Sequence, residues 1–362
     1  VNTSCRAGAE LAVTGVGIVS PWGDTPEAAD DARGAAVPGT CEWFDHRARL
    51  GPRGYRYLPP AAQYALAAAR AALDDGGRPQ AVPADRRALL LATNAGPAEL
   101  LDAMDGVVLE EGAAGISPAS APYFAVNVLG NRIAAELSLT GFALTVATAR
   151  TAALDALSAG ALALAAGRCD SLVLAAVEEP PPTRAAAGPG RPGEQGAGVF
   201  TLESVAGARA RGATVAATLR ARSLFLPPSA LDRAEGRARA GRVLTDALAA
   251  LLVPPEGAAP GGSAPPLLRL DLDDSPVSEA VAVAVAGLGS SASEGGHAGG
   301  ALHPGRRTGC LGPALAVARA VRARDTRRRL VVCASGAGHV ALVRVSPGPS
   351  HHSQESEHAE VA

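Results

Sequence analysis

The chain has 362 residues and a formal net charge of −2, with 33 basic residues, all of them Arg, against 35 acidic ones. The lack of Lys removes Schiff-base and lysine general-base mechanisms, and the balanced charge gives no footprint for nucleic acid. No apolar run reaches membrane-spanning length without an Arg, Gly or Pro, and no charged-then-apolar leader opens the chain, so a reduced, soluble cytoplasmic protein is expected.

The length exceeds one ordinary hydrophobic core, so two core-bearing lobes are expected. Apolar residues make up 48% but aromatics only 3%, a composition that packs backbones closely through small side chains. Leu11 to Val19 reads as a strand entering a Gly turn. Ala61 to Asp75 is an alanine-rich helix stopped by Gly76-Gly77. A strand is expected at Arg87 to Thr93, helices at Ala98 to Glu111 and Ala125 to Leu137, and a strand at Phe142 to Thr148. A small-residue helix follows from Thr151 to Ala166, then strands at Asp170 to Val177 and Gly198 to Glu203 around a Pro/Gly/Ala loop at Pro180 to Gly196. The second set has a strand near Thr214 to Arg220, a helix near Arg233 to Leu252, a strand at Leu267 to Leu272 and a helix at Ser278 to Gly287. A glycine-rich loop at Gly289 to Gly305, a helix at Leu311 to Arg322 and strands at Leu330 to Ala334 and Val340 to Val345 complete it. Strands alternating with helices predict a layered α/β architecture. The polar stretch from Ser346 to Ala362 is expected to be a disordered tail.

Taken in order, these segments resemble the β-ketoacyl synthases of the thiolase fold from about Leu11 to Val345. The resemblance is carried by Val13-Thr-Gly-Val-Gly-Ile-Val-Ser-Pro-Trp-Gly23, Gln63-Tyr-Ala-Leu-Ala-Ala-Ala-Arg-Ala-Ala-Leu73 and Ser117-Pro through Tyr123-Phe-Ala-Val-Asn127. Gly198-Val-Phe-Thr-Leu-Glu-Ser-Val205, Gly309-Cys-Leu-Gly-Pro-Ala314 and Ala334-Ser-Gly-Ala-Gly-His-Val-Ala-Leu-Val343 add to it. It implies an α/β thiolase-like fold of two similar βαβαβαββ halves in an α/β/α/β/α arrangement. The halves would span 1–210 and 211–347, with the tail at 348–362. Gly15-x-Gly17 alone is a weak dinucleotide signal, lacking the third glycine.

The chemistry of that family is missing where the resemblance puts it. An active ketosynthase needs a thiolate at a helix N-terminus, where dipole and amides lower its pKa. Anchored on Leu154-Asp155-Ala156, that position is Arg150, and no Cys or Ser lies between Gly141 and Leu157. Arg stays protonated and cannot accept an acyl group. One family His falls on Cys310; the other belongs near Leu272-Asp-Asp-Ser-Pro-Val277, which has no His; the family Lys is lost near Arg306 and Arg307. Nothing catalytic is therefore expected, and Arg150 and Cys310 are degenerate positions. The five cysteines (Cys5, Cys41, Cys169, Cys310, Cys333) form no C-x-x-C pair, so neither a disulfide framework nor a metal site is expected, and no cofactor.

Such loss resembles the chain length factors, silent subunits of type II polyketide synthases. The resemblance implies a heterodimer with an active ketosynthase subunit, and contact with an acyl carrier protein bearing a phosphopantetheine-bound polyketide. Phe142, Leu144, Val146 and Thr148 would form the interface strand, buried on both faces, with Asn127 and Asn131 on the helix beside it. Leu101, Asp102, Met104 and Asp105 would line the end of the acyl tunnel and set chain length, small or polar side chains that would suit a reduced polyene. No membrane or nucleic-acid partner is implied. Two other readings stay open: a decarboxylase or acyltransferase of this fold using Cys310, and a homodimeric non-catalytic scaffold. Arg150 reads more readily as part of a structural ion pair, Cys310, Cys169 and Cys333 as small buried hydrophobes, and His339 as packing. His297, His303, His351, His352 and His358 read as solvated. The Arg-rich stretches Arg209 to Arg222 and Arg322 to Arg329 are solvated faces by default and a carrier-docking surface in the sharper reading.

Overall fold

The structure is a computed structural model that describes residues 10–31, 42–52, 54–77, 81–94, 96–118, 120, 125–179, 194–253, 265–288 and 309–348. His297, His303, Arg306, Arg307, the histidines of the tail, Cys5, Cys41, Tyr123 and most of the two proposed loops lie outside those residues.

Strand β1 (Leu11–Val19) leads into helices α1 (Pro26–Asp31), α2 (His46–Leu50) and α3 (Pro60–Gly76). Strand β2 (Arg87–Ala92), helices α4 (Ala98–Glu111) and α5 (Asn127–Leu137), strand β3 (Ala143–Val146) and helix α6 (Ala152–Ala165) follow. Strands β4 (Ser171–Glu178) and β5 (Gly196–Ser204) and the short α7 (Val205–Ala210) close the first set. The second set is β6 (Ala217–Phe225), α8 (Ala234–Leu252), β7 (Leu267–Asp271), α9 (Pro276–Ala286), α10 (Leu311–Arg322), β8 (Arg329–Ala334) and β9 (His339–Pro347). Sequence reading placed α4 and α10 at their observed ends. It began β6 three residues early: the ladder with β9 runs from Ala217–Pro347 to Phe225–His339, and that pairing, rather than local propensity, sets the limits.

The strands hydrogen-bond in the order β3-β2-β4-β5-β1-β6-β9-β8-β7. The strand ladders of the two sets join where Leu11–Val13 pair with Ala217–Leu219, and the second repeats the first without a counterpart of β3 among the described residues. Alternation along each strand sorts side chains into three cores. Leu89 and Leu91 of β2 and Val173, Ala175 and Val177 of β4 face α3 and α5. Leu90, Leu172 and Leu174 face the other way, into a central core shared with α6, α10 and Val331, Cys333, Val343 and Val345 of the second set. Leu330, Val332, Val340 and Leu342 pack under α8 and α9. Helices α6 and α10 each touch strands of both sets. The chain thus forms the five layers of a thiolase-like fold, with α6 and α10 in the middle.

The glycines of the first strand serve packing. A Cβ on Gly17 would sit 2.0 Å from the Ala68 carbonyl oxygen, and one on Gly15 would sit 2.1 Å from that of Ala72. Helix α3 can lie this close only because its facing residues, Ala65, Ala68, Ala69 and Ala72, are small and fully buried. Gly17→Ala is expected to lower unfolding stability by at least ~1–3 kcal/mol, read from denaturant midpoints. An unchanged midpoint would contradict this close approach.

Candidate functional site

The N-termini of α6 and α10 come together inside the middle layer, where the turn before α6 packs on α10 and β8. That turn, Ala149–Thr151, is 3₁₀-helical, and Ala149 holds φ of 50°. A left-handed backbone on a residue with a Cβ is a strained arrangement that its surroundings must impose. The hydroxyls of Thr148 and Thr151 donate to Asp155 Oδ2 at 2.6 and 2.8 Å, and Ser223 of β6 donates to Oδ1. Asp155 lies in the first turn of α6, where a carboxylate complements the helix dipole.

Arg150 reaches across to the second set. Its Nη1 lies 2.9 Å from Asp271 Oδ1 at the end of β7, with the two side chains only 12% and 14% exposed. The Cys333 thiol donates to the Arg150 carbonyl at 3.6 Å. Beside them, Asp273 accepts from the hydroxyls of Ser275 and Ser278 and from the Gly336 amide at 2.8 Å. Burial pushes the Asp273 carboxyl up, but those hydrogen bonds and the Arg150 charge outweigh it and hold the carboxyl below its ordinary value.

Cys310 occupies the N-cap of α10 and is completely buried. Its amide donates to Glu178 Oε1 at 2.8 Å, while the Leu311 and Gly312 amides donate to Glu194 at 2.9 and 3.2 Å. Both carboxylates are themselves buried. Burial, then the negative charges of Glu178 and Glu194, push the Cys310 thiol well above its ordinary value. Burial does the same to Cys333, with Asp271 adding to it, and raises Cys169 to about 11. A thiol raised in this way carries little thiolate, the form that acts as nucleophile.

The structure therefore brings Arg150 and Cys310 into one centre. Their partners Asp271, Glu178 and Glu194 were not singled out from sequence, while the nearby Cys333 is buried, as its reading as a small hydrophobe expected. The one hint was position, an acid closing an apolar strand in Leu267-Leu-Arg-Leu-Asp271 and in Ser171-Leu-Val-Leu-Ala-Ala-Val-Glu178. The other predicted residues lie on α4, α5 and β3. On α4, Met104 is buried, Leu101 and Asp102 are half-buried and Asp105 is exposed. On α5, which packs beside β3, Asn127 and Asn131 are exposed. Strand β3 was expected to be buried on both faces. In the single chain it is the terminal strand, paired only with β2; Leu144 is 45% exposed and Phe142, Val146 and Thr148 are half-buried. His339 sits edge-on to Phe225, ring centroids 5.5 Å apart. Several arginines of the two Arg-rich stretches are held by internal carboxylates: Arg211 by Glu203, Arg322 by Asp75 and Arg329 by Asp325. No helix among the described residues is long and apolar enough to cross a membrane.

Residues 17–188 match the family model of the β-ketoacyl synthase N-terminal domain. The chain thus carries a segment similar to the β-ketoacyl synthase N-terminal domain. It is similar to 3-oxoacyl-[acyl-carrier-protein] synthase 2 of Vibrio cholerae, with 25% identity over 249 residues, and to that of Vibrio harveyi, with 25% over 253 residues. The matches take in 57% and 58% of this chain, and 60% and 61% of those relatives' length. Among solved structures it resembles the ishigamide ketosynthase/chain length factor, with a TM-score of 0.68 and 19% identity over 94% of this chain and 99% of that one. It equally resembles AntDE:AntF, a type II polyketide synthase acyl-carrier protein in complex with its ketosynthase bound to the hexaketide, with a TM-score of 0.69 and 16% identity over the same shares. At these identities the structural likeness speaks for the fold.

Two outcomes follow from the centre. Asp271→Asn leaves the Arg150 charge buried without its carboxylate and is expected to destabilise the chain by about 3 kcal/mol, whereas the double change Arg150→Met, Asp271→Leu costs less than either single change. Denaturant unfolding of the four proteins tests this, and additive single losses would refute the coupling. Asp273, with its folded value lowered, contributes stability that is complete above the unfolded value near ~3.9 and is lost as pH falls through the lower folded one. Asp273→Asn should therefore flatten the acid limb of the stability profile below about pH 4 and leave its shape at neutral pH unchanged.

Proposed function

We propose that the chain is a catalytically silent ketosynthase-like subunit, a chain length factor that pairs with an active ketosynthase and shapes the tunnel holding the growing polyketide. The observation that carries this reading is the Arg150–Asp271 ion pair. It fills the place that the family resemblance assigns to the nucleophile, next to a Cys310 thiol raised above its ordinary value by burial and then by two carboxylates. An arginine cannot form a thioester, and its guanidinium is committed to holding the two halves together. The same facts weigh against an acyltransferase or decarboxylase running on Cys310.

Partnership is supported by the open edge of β3. Its ladder is satisfied on the β2 side only, and an edge of Ala-Leu-Thr-Val invites another strand. The proposed contact includes Phe142, Leu144, Val146 and Thr148, with Asn127 and Asn131 alongside on α5. The polyketide, carried by an acyl carrier protein to the active subunit, would reach towards α4. There Met104 and Leu101 would limit its depth, with Asp102 and Asp105 at the rim. In this scheme 1–210 and 211–347 are the two halves and 348–362 is a tail.

The test is co-expression with an active ketosynthase, light-scattering mass, and a product assay with carrier protein and malonyl units. A one-to-one complex is expected whose activity survives Arg150→Ala and disappears when the partner's nucleophile is removed. A self-sufficient homodimer that turns over acyl thioesters alone would refute the reading. In an active complex, Leu101→Trp is expected to shorten the product, and unchanged length would remove α4 from the tunnel.

A further inference from the structure

Strands β6 and β9 place Arg220 directly opposite Arg344, and Thr218 opposite Ser346. Alternation puts all four side chains on one face, and because Val343 and Val345 enter the central core, that face is the α8 side. Like charges facing each other across a ladder repel, and Arg344 is the largest fully buried side chain among the described residues. A single carboxylate answers both. Glu10 Oε1 accepts from Arg344 Nη2 at 3.0 Å and Thr218 Oγ1 at 3.0 Å, and lies 4.0 Å from Arg220 Nε. The remaining Arg344 nitrogen, Nη1, donates to the Leu251 and Val253 carbonyls at 2.8 and 2.7 Å, and Arg220 Nη1 donates to Val253 at 3.4 Å. The two arginines thus close the C-terminus of α8.

Among the described residues the charges do not balance. Two guanidiniums share one carboxylate, and Arg328 adds a third positive charge felt at Arg344. Burial first, and Arg220 next, lower the Arg344 pKa, which is the mark of a cation short of counter-charge. Three buried donors on this face also lack an acceptor: Arg220 Nε, Arg344 Nε and Ser346 Oγ. Buried charged donors left unpaired are among the least favourable arrangements in a protein.

We propose that this face of the β6–β9 ribbon is a binding site for a phosphate-class oxyanion, held by the edges of Arg220 and Arg344 and by the hydroxyl of Ser346. Guanidinium edges match the oxygens of phosphate in spacing and charge. The hydroxyl adds a directional donor that a spherical halide uses poorly. The site is independent of the Arg150 centre, which lies in the middle layer, so neither reading depends on the other.

Thermal unfolding of the full chain tests it, comparing inorganic phosphate with chloride at equal ionic strength and fixed pH. Low millimolar phosphate keeps general salting-out effects small. At tenfold over its dissociation constant, phosphate is expected to raise Tm by about 2 °C. Because Arg344→Met can unfold the chain outright, Arg220→Gln and Ser346→Ala carry the test, and each should reduce the increment by at least half. Equal Tm in phosphate and chloride, or the same increment in both variants as in the native chain, overturns the proposal. So does a phosphate effect that appears only after truncation at Gly348, since the chain's own carboxylates would then be the occupants.

Discussion

Everything at the centre of this molecule depends on sharing two helices between the two halves of its nine-stranded sheet. Helices α6 and α10 lie in the middle layer, in contact with strands of both halves. Their first amides are therefore remote from water, yet each must find an acceptor. At α10 the acceptors are the carboxylates of Glu178 and Glu194. At α6, Asp155 gathers the hydroxyls of Thr148, Thr151 and Ser223. A helix N-terminus ordinarily favours a thiolate. Here two buried carboxylates have already taken up the positive end of α10, so the thiol at its cap meets negative charge. At a helix end that activates a cysteine elsewhere, burial first and this negative charge next hold the Cys310 thiol above its ordinary value.

Arg150 follows from the same constraint with the sign reversed. A cation at the positive end of α6 gains nothing from the dipole and loses hydration, so the pairing with Asp271 is a requirement of burial. Asp271 closes β7 in the second half, which makes the pair a stitch between halves that share a ladder over only three residue pairs. Its contribution lies more in fixing how the halves meet than in net stability, since buried ion pairs regain little beyond their desolvation cost. The strained turn at Ala149 fits this account, because the Asp155 network below and the ion pair above both pull on it.

The layering was legible in the sequence because strands buried on both faces read as continuous apolar runs, as in Leu172-Val-Leu-Ala-Ala-Val177. Helix ends marked by glycine, such as Gly112 after α4, were legible for the same local reason. The centre was legible only by half. Arg150 and Cys310 stand in recognisable local patterns, but their partners Asp271 and Glu178 sit 121 and 132 residues away, and Glu194 sits 117 residues from Leu311, whose amide it accepts. No periodicity joins such positions; only the topology brings them together. Strand β3 shows the converse limit. Its composition is that of a central strand, and its exposure is a consequence of strand order, which composition does not encode.

That exposure separates the two ends of the sheet. At the far end, β7 carries Arg269 and Asp271 within five residues, charges that discourage a second chain from adding there. At the near end, β3 is Ala-Leu-Thr-Val, with no charge, proline or bulge, and half-buried Phe142 just before it. A soluble chain that kept such an edge uncovered would add strands indiscriminately. The silent-subunit reading asks for contact at the β3 end alone, with the Arg150 turn only a few residues beyond the strand. A partner strand lying along β3 would place the two proteins' central layers side by side, and so bring the retired centre of one near the working centre of the other. In this reading, the edge that is a liability in isolation is the feature that makes a subunit without chemistry useful to one that has it.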